Sequence, residues 1–273
     1  MNKKTTMKDM SFLEHLEVLR WLLIRSTIAV LIMAAITFSI SDYIFDTIIF
    51  GPTHPEFVTY KFFCDLSHRL GFADSICVTE MPFIIQNTDM EGQVNILIWT
   101  CITAGFILSF PYILWEFWKF ISPALYEKEK KNARSFIVVS SLLFFIGVVF
   151  GYFVIIPMSV NFFATFKVSE VIVNQFNIDS YIGMIKTSVL ATGLFFELPI
   201  IIYFLTKIGL VTPVFLRKYR KIAVIIVLIV SAIVTPPDVV SQIIVSVPML
   251  LIFEASIIIS AIVVKRQNNE QLS

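Results

Sequence analysis

Long apolar stretches dominate the chain and predict helices that cross a membrane. A crossing helix needs about 20 mostly apolar residues. The predicted crossings, five of full length and one shorter, are 21–40, 94–115, 136–160, 181–206, 222–234 and 239–264. The fifth would extend only about 20 Å, against a hydrocarbon core of about 30 Å. Its length alone therefore fits either a short crossing or a re-entrant helix.

The charges between the apolar runs decide how the fifth run is interpreted. Lys and Arg cluster before the first run, between the second and third, between the fourth and fifth, and after the sixth, whereas 51–92 and 167–180 are mainly acidic. Basic residues concentrate in short cytoplasmic loops. A re-entrant fifth helix would place Lys265 and Arg266 outside. The sequence therefore predicts an all-α integral membrane protein with six transmembrane helices in a single domain over 1–273, and with both termini cytoplasmic.

Prolines fall within four of the predicted spans. They are Pro111, Pro157, Pro199 and Pro248. Each removes a backbone hydrogen bond and favours a bend in its helix. We expect a concave bundle of bent helices.

The composition supports a membrane protein and narrows its function. Of 273 residues, 57% are hydrophobic and only 15% are charged, with a net charge of +1. That balance gives no basic field for nucleic acid. The histidines, His15, His54 and His68, lie outside the spans, and no span contains Asp, which argues against haem ligation and intramembrane proteolysis. We expect no enzymatic activity, no cofactor and no metal site.

The segment before the first span predicts a short amphipathic helix. Ser11 followed by Glu14 fits a capping box at its start. Glu17 lies one turn further on and has no capping duty, so a partner-binding role and a solvated face both remain open. Arg20 lies at the membrane boundary, where its side chain can reach the polar interface.

Two polar segments adjoin other spans. In 120–131, Glu127 and Glu129 lie among lysines, and these residues alone favour a solvated face with salt bridges of little energy. In 235–242, the sequence Thr-Pro-Pro-Asp-Val-Val-Ser-Gln predicts a tight turn before the last helix, with Asp238 as a candidate N-cap.

Together these segments resemble the TatC family, the membrane receptor and core subunit of the twin-arginine protein translocase. The family pattern before the first helix is Phe-Leu-x-His-Leu-x-Glu-Leu-Arg. Matching motifs occur, in the family order, at 12–20, 123–130, 196–199 and 235–242. The family also has six spans and a short fifth helix.

The resemblance implies a receptor for signal peptides that carry two consecutive arginines. Such a receptor works with small single-span partners of the TatA and TatB type to move folded proteins across the bacterial inner membrane, driven by the proton gradient. The expected partners also include membrane lipid and further copies of the chain in a larger complex. The resemblance also implies that Glu129, Phe120 and Arg20 belong to the arginine-binding patch. The family Glu of the first motif aligns with Val18 here, so Glu14 or Glu17 would have to supply that charge.

Several polar residues lie in or beside the later spans. Glu197 lies near the middle of the fourth span, where an ionised carboxylate facing lipid would cost about 2.5 to 3.5 kcal/mol. It either hydrogen bonds to a Ser or Thr of a neighbouring helix or, as the resemblance implies, docks a polar residue of a single-span partner. The full set of candidate partner-docking residues is Glu197, Thr235, Asp238, Gln242 and Glu254.

A different function class uses two of the same residues. In a proton-coupled small-molecule transporter, Glu197 and Glu254 would form the proton relay. The two halves of the sequence lack the matching broken helices that inverted-repeat transporters display. The sequence therefore favours the translocase receptor.

The cysteines divide between a loop and a span. Cys64 and Cys77 lie in the long outer loop and are candidates for a disulfide, which an oxidising compartment would permit. The sequence leaves open whether they are bridged. Cys101 lies in the second span and is expected to be a free packing residue.

Overall fold

The structure is a computed structural model that describes residues 12–69, 77–78, 80–122, 133–169, 171–235 and 239–272. The helices that position the candidate sites are α1 Phe12–Ser39, α2 Val58–Arg69, α3 Gly92–Ile121, α4 Ala133–Phe150, α5 Ile156–Thr165, α6 Ile178–Phe195, α7 Leu198–Lys207, α8 Pro213–Lys218, α9 Arg220–Val234 and α10 Val239–Leu272. Shorter helical turns at Ser41–Tyr43, Ile44–Ile49 and Gly51–Thr53 follow α1. The strands are β1 Phe83–Gln86 and β2 Asn174–Asn177.

Most of the predicted spans appear as long apolar helices. Within the described residues, the segments long and apolar enough to cross a membrane are Leu16–Ser39, Gly92–Ile121, Ser135–Thr165, Ile178–Lys207 and Ser241–Gln267. The predicted fifth span corresponds to α9, a helix of 15 residues that extends about 22 Å. The prediction of a helical membrane protein is confirmed.

Two of the four prolines coincide with irregular helix geometry. Pro157 follows a π-helical turn, Gly151–Ile155, that joins α4 to α5. Pro199 lies in the first turn of α7, directly after the break that separates this helix from α6. The missing proline N–H explains why the regular hydrogen-bond ladder is interrupted there. The helices α3 and α10 continue through Pro111 and Pro248.

The chain divides into two compact units, of which the first comprises 1–44 and 91–142. In this unit α1 and α3 pack antiparallel, since Arg25 meets Glu116 near one end of the contact and Ala34 meets Gly105 further along. A Cβ added at Gly105 would lie only 2.7 Å from the backbone nitrogen of Ala34. The missing side chain therefore lets the two backbones approach closely, as small residues do between membrane helices.

The second unit comprises 45–90 and 143–273. Tyrosine hydroxyls bind backbone carbonyls and hold its irregular segments in place. Tyr60 donates to the carbonyls of Pro52 and Pro157 at 2.8 and 3.1 Å, and Tyr181 donates to that of Ile49 at 2.6 Å. These bonds anchor α2 and the turns before it to α5 and α6.

A small parallel sheet, absent from the sequence prediction, lies in the second unit. Strand β1 pairs with β2, with Phe83 opposite Asn174 and Gln86 opposite Asn177. The Asn174 amide donates to the carbonyls of Phe163 and Ala164, both at 3.1 Å, near the end of α5. Asn177 caps α6 by accepting a bond from the backbone N–H of Asp179. The sheet is thereby fixed to the ends of these helices.

The last helix, α10, packs against α7 and α9. A buried cluster joins residues of α9 and α10 with the end of the π-helical turn, namely Ile155, Val227, Val234, Val245 and Met249. On the α7 side, the hydroxyls of Thr206 and Ser260 lie 2.8 Å apart in a buried hydrogen bond. Ile202 of α7 also belongs to a buried cluster with Phe253 and Ile257 of α10, so the α7–α10 contact combines apolar packing with a polar bond.

Candidate functional site

The start of α1 and the end of α3 form an open cavity of about 420 Å³, here called the α1–α3 cavity. Its α1 residues recur at helical spacing on one face, and its α3 residues lie in the last turns of that helix. The lining residues are Glu17, Val18, Trp21, Leu22, Arg25, Glu116, Lys119 and Phe120.

Glu116 is the buried charge of this cavity. Its side chain is only 4% exposed and lies 2.6 Å from the Lys119 ammonium and 3.4 Å from the Arg25 guanidinium. Both cations remain about half exposed, at 49% and 52%. They also approach aromatic rings, Lys119 that of Trp115 at 5.5 Å and Arg25 that of Trp21 at 6.0 Å. The carboxylate is thus compensated, while its partners remain accessible.

This arrangement can accept a further cation. Glu17 is exposed at the cavity, so its carboxylate is open to a ligand. The Arg25–Glu116 contact of 3.4 Å is longer than the 2.7 to 2.9 Å typical of a charge-assisted hydrogen bond. An incoming guanidinium can therefore compete for Glu116 while its plane rests on Trp21 or Phe120.

The structure brings together only part of the predicted signal-peptide set. Glu17 and Phe120 line the α1–α3 cavity, whereas Arg20 is exposed and does not line it. The side chain of Glu14 and the whole of Glu129 lie outside the described residues.

Sequence reasoning missed Arg25, Glu116 and Lys119 as members of this site. A signal for two of them was present, because Arg25 is the one charge in the first predicted span and Glu116 directly follows the second. Ionisable residues in membrane helices face the protein interior and pair with one another. The pairing itself required the antiparallel register of α1 and α3.

Two of the predicted docking residues are buried in the second unit. Glu197 is 6% exposed and lies at the break between α6 and α7, where its carbonyl accepts bonds from the N–H groups of Ile200 and Ile201. The Thr235 hydroxyl donates to the Ser231 carbonyl at 2.8 Å. Thr235 also lines a cavity of about 580 Å³ between the ends of α5, α6 and α9 and the strands.

The remaining docking residues have different surroundings. Gln242 donates to the Leu228 carbonyl at 3.2 Å and so joins α10 to α9. Glu254 forms an ion pair with Arg220, with oxygen–nitrogen distances of 2.8 and 2.9 Å. Asp238 lies outside the described residues. The Arg220 contact occupies a carboxylate that the transporter hypothesis needed for its relay.

The loop cysteines Cys64 and Cys77 are joined in a disulfide, with their Cα atoms 4.6 Å apart. His68 lies beside them, one turn after Cys64 on α2. Cys101 is buried and free.

The family model for the Sec-independent protein translocase protein (TatC) matches residues 14–248. The chain belongs to this family. A TatC protein of Blattabacterium sp. subsp. Periplaneta americana is 44% identical over 228 residues, which cover 82% of this chain and 84% of the relative. A TatC protein of Aquifex aeolicus is 32% identical over 218 residues, covering 80% and 81% of the two chains.

Solved structures of the family agree with this assignment. A crystal structure of the twin arginine translocase receptor TatC superimposes with a TM-score of 0.69 at 31% identity and covers 92% of this chain and 99% of that one. A second, determined in DDM, gives a TM-score of 0.71 at 32% identity and covers 90% and 99%. These likenesses confirm the predicted six-helix membrane fold. The chain is a multi-pass protein of a translocase family.

Proposed function

We propose that this chain is the receptor subunit of a twin-arginine translocase and that the α1–α3 cavity binds the paired arginines of signal peptides. The observation that carries the proposal is the position of two carboxylates, exposed Glu17 and buried Glu116, on one cavity with aromatic neighbours. Membership of the TatC family supports the wider role, which is transport of folded proteins driven by the proton gradient.

The cavity suits arginine better than lysine. A guanidinium presents a planar fork that a carboxylate accepts with two bonds, whereas an ammonium acts as a point charge. Trp21 and Phe120 add flat faces on which a guanidinium can stack. Each hydrogen bond to a charged group contributes about 1.5 to 3 kcal/mol, so losing one through lysine weakens binding by about tenfold or more.

The same cavity accounts for the unusual Val18. This residue occupies the family's glutamate position and is a half-buried part of the cavity wall. Glu17 is its chain neighbour, and Glu116 faces the cavity from α3. We assign the missing charge to these two residues, and we retain Glu129 as a further carboxylate on the strength of the family motif.

A paired-peptide binding experiment tests the proposal. Two fluorescent signal peptides, identical except for Arg-Arg or Lys-Lys, are titrated against the purified chain in detergent micelles. We expect the Lys-Lys peptide to bind at least about tenfold more weakly. Glu17→Gln and Glu116→Gln should each reduce the difference in affinity between the Arg-Arg and Lys-Lys peptides.

The matched control is Glu91→Gln, which makes the same change at an exposed residue. Glu91 directly precedes α3 and lies at the opposite end of this helix from the cavity. It should leave both affinities unchanged. Equal binding of the two peptides by the unaltered chain would contradict the proposal. So would retention of full discrimination in both cavity variants.

The orientation follows from the positive charges. We propose a bacterial inner-membrane location with both termini in the cytoplasm, since every basic cluster then lies on the cytoplasmic side. The start of α1 and the end of α3 adjoin two of these clusters. The α1–α3 cavity is then open to the compartment in which preproteins are made.

We also propose that the second unit docks small single-span partners of the TatA and TatB type. Glu197 and Thr235 are the leading residues, because both are buried polar groups. A polar side chain of a single-span partner would otherwise face lipid, and these groups offer it a polar contact. Gln242 and Glu254, which bind the Leu228 carbonyl and Arg220, belong to the same proposed docking set.

A further inference from the structure

Cys64, His68 and Cys77 form a compact cluster of metal-ligand side chains at one end of α2. The His68 Nε2 atom lies 4.0 Å from the Cys64 sulfur and 3.7 Å from the Cys77 sulfur. All three ligand atoms lie within 4.8 Å of one another. We propose that this cluster binds a zinc-type divalent cation whenever its disulfide is open.

The distances from His68 to the two sulfurs fit a tetrahedral zinc site. With bonds of about 2.3 Å to sulfur and 2.0 to 2.1 Å to nitrogen, tetrahedral angles place nitrogen and sulfur about 3.6 Å apart and the two sulfurs about 3.8 Å apart. The His68 Nε2 atom already lies close to this nitrogen–sulfur distance from both sulfurs. The two sulfurs have to move apart to the sulfur–sulfur distance when their bond is broken.

Two of the ligands are held on a rigid support. Cys64 and His68 lie four residues apart on one face of α2. The Thr59 hydroxyl donates to the Phe153 carbonyl at 2.7 Å, and the Tyr60 hydroxyl donates to the carbonyls of Pro52 and Pro157. These bonds fix α2 to the π-helical turn before α5 and to α5 itself. A pre-organised pair of ligands reduces the ordering needed when an ion binds.

The cluster is accessible and has room for a fourth ligand. His68 is exposed, and both cysteines are partly exposed. The described residues supply only these three ligands, so water can take the fourth position. Two thiolates and an imidazole favour zinc over magnesium or calcium, which prefer oxygen ligands.

The chemistry starts from the newly inserted chain, in which both cysteines are thiols. A protein disulfide can oxidise them, taking up two electrons and two protons as it becomes a dithiol, and the Cys64–Cys77 bond forms. Alternatively, a divalent cation displaces the two thiol protons, and the two thiolates with neutral His68 give a complex of zero net charge. The disulfide and the metal complex use the same two sulfur atoms, so only one of them can form at a time.

Either product ties residue 77 to α2. The disulfide closes the loop at a sequence separation of 13 residues. The metal would close the same loop without an oxidant. Zinc binding would therefore hold this loop where oxidation has not occurred.

Cobalt binding to the full-length chain tests the proposal. The protein in detergent micelles is reduced with a phosphine, freed of reductant and titrated with Co²⁺, whose thiolate complexes give charge-transfer absorption. We expect one equivalent to bind with this absorption and to be displaced by Zn²⁺. The unreduced protein should bind none at this site.

Variants distinguish Co²⁺ binding at the cluster from Co²⁺ binding at other thiols and histidines of the chain. His68→Ala keeps both cysteines and should still form the disulfide, but it should weaken Co²⁺ binding by about tenfold or more, since even losing a ligand's supporting contact costs that much. His54→Ala and Cys101→Ala are the controls and should bind like the unaltered chain. Absence of the thiolate absorption after reduction overturns the proposal, as does unchanged affinity in His68→Ala or Cys77→Ser.

Discussion

Gly105 of α3 lies so close to Ala34 of α1 that an added Cβ would come within 2.7 Å of the Ala34 backbone nitrogen. The added Cβ would also lie 2.7 Å from the Val30 carbonyl oxygen. Because both neighbours are backbone atoms, neither can turn away as a flexible side chain would. The α1–α3 cavity lies between the same two helices, nearer to the start of α1 and the end of α3.

We therefore predict that Gly105→Ala separates α1 from α3 and lowers stability by about 1 to 3 kcal/mol, the usual cost of overpacking. The midpoint temperature of unfolding in detergent measures this. Gly183→Ala is the matched control, because a Cβ there meets nothing within 4 Å. It should leave the midpoint unchanged or raise it, as alanine favours helix. Equal midpoints for the two variants would refute the close-contact explanation.

Adding a carboxylate at position 18 should preserve or strengthen signal-peptide binding. Val18 lines the cavity beside Glu17, so Val18→Glu restores the family residue at the cavity wall. We expect the Arg-Arg peptide to bind at least as tightly as to the unaltered chain. Val18→Gln, with similar size but no charge, should give no electrostatic gain. Weaker binding by Val18→Glu than by Val18→Gln would show that the site does not use negative charge here.

Substitutions of Glu197 distinguish partner docking from a structural role. Glu197→Gln keeps hydrogen-bonding capacity without charge, and Glu197→Ala removes both. For a docking residue, Glu197→Ala should remain inserted and bind signal peptide, yet crosslink less to single-span partners and transport less cargo. If the Ala variant instead disappears from the membrane while the remaining protein keeps normal partner crosslinks, the residue is structural.

Burial raises the pKa of Tyr60 above its usual value near 10. The folded chain therefore keeps this proton at pH values where the unfolded chain releases it. The stabilisation that Tyr60 provides is complete below about pH 10 and declines as the pH rises above that value. We expect Tyr60→Phe to cost about 1 kcal/mol at neutral pH, through loss of its bonds to Pro52 and Pro157.

The measurement is the difference in unfolding midpoint between the unaltered chain and Tyr60→Phe from pH 8 to 11. This difference should shrink at the alkaline end. A constant difference across the range would mean that Tyr60 does not titrate in the unfolding reaction.

Labelling of single cysteines tests the proposed orientation. Ser122 follows α3 next to a basic cluster, and Val171 is 90% exposed in the connection before β2. In a Cys101→Ala background in which Cys64 and Cys77 stay bridged, Ser122→Cys should react with an impermeant thiol reagent only from the cytoplasmic side, and Val171→Cys only from the opposite side. Reaction of both from one side would contradict the six-crossing topology.

The sequence determined the membrane class, the approximate places of the long apolar helices and the family motifs. A membrane-spanning segment must satisfy its backbone hydrogen bonds internally, so a long apolar run encodes its own helix. The short helix α9 was also predictable from its apolar run, and its crossing of the membrane stays a prediction from the alternating basic clusters. These are local properties, and one chain displays them without reference to its fold.

Tertiary structure decided which distant residues meet. Arg25 and Glu116 pair across 91 positions only because α1 and α3 pack antiparallel in one register. The four-residue strands β1 and β2 acquire their hydrogen bonds from each other, with Phe83 opposite Asn174, so neither is marked by its own sequence. His68 joins Cys64 and Cys77 only when the loop folds back on α2. Each of these contacts depends on non-local packing, which an isolated segment cannot specify.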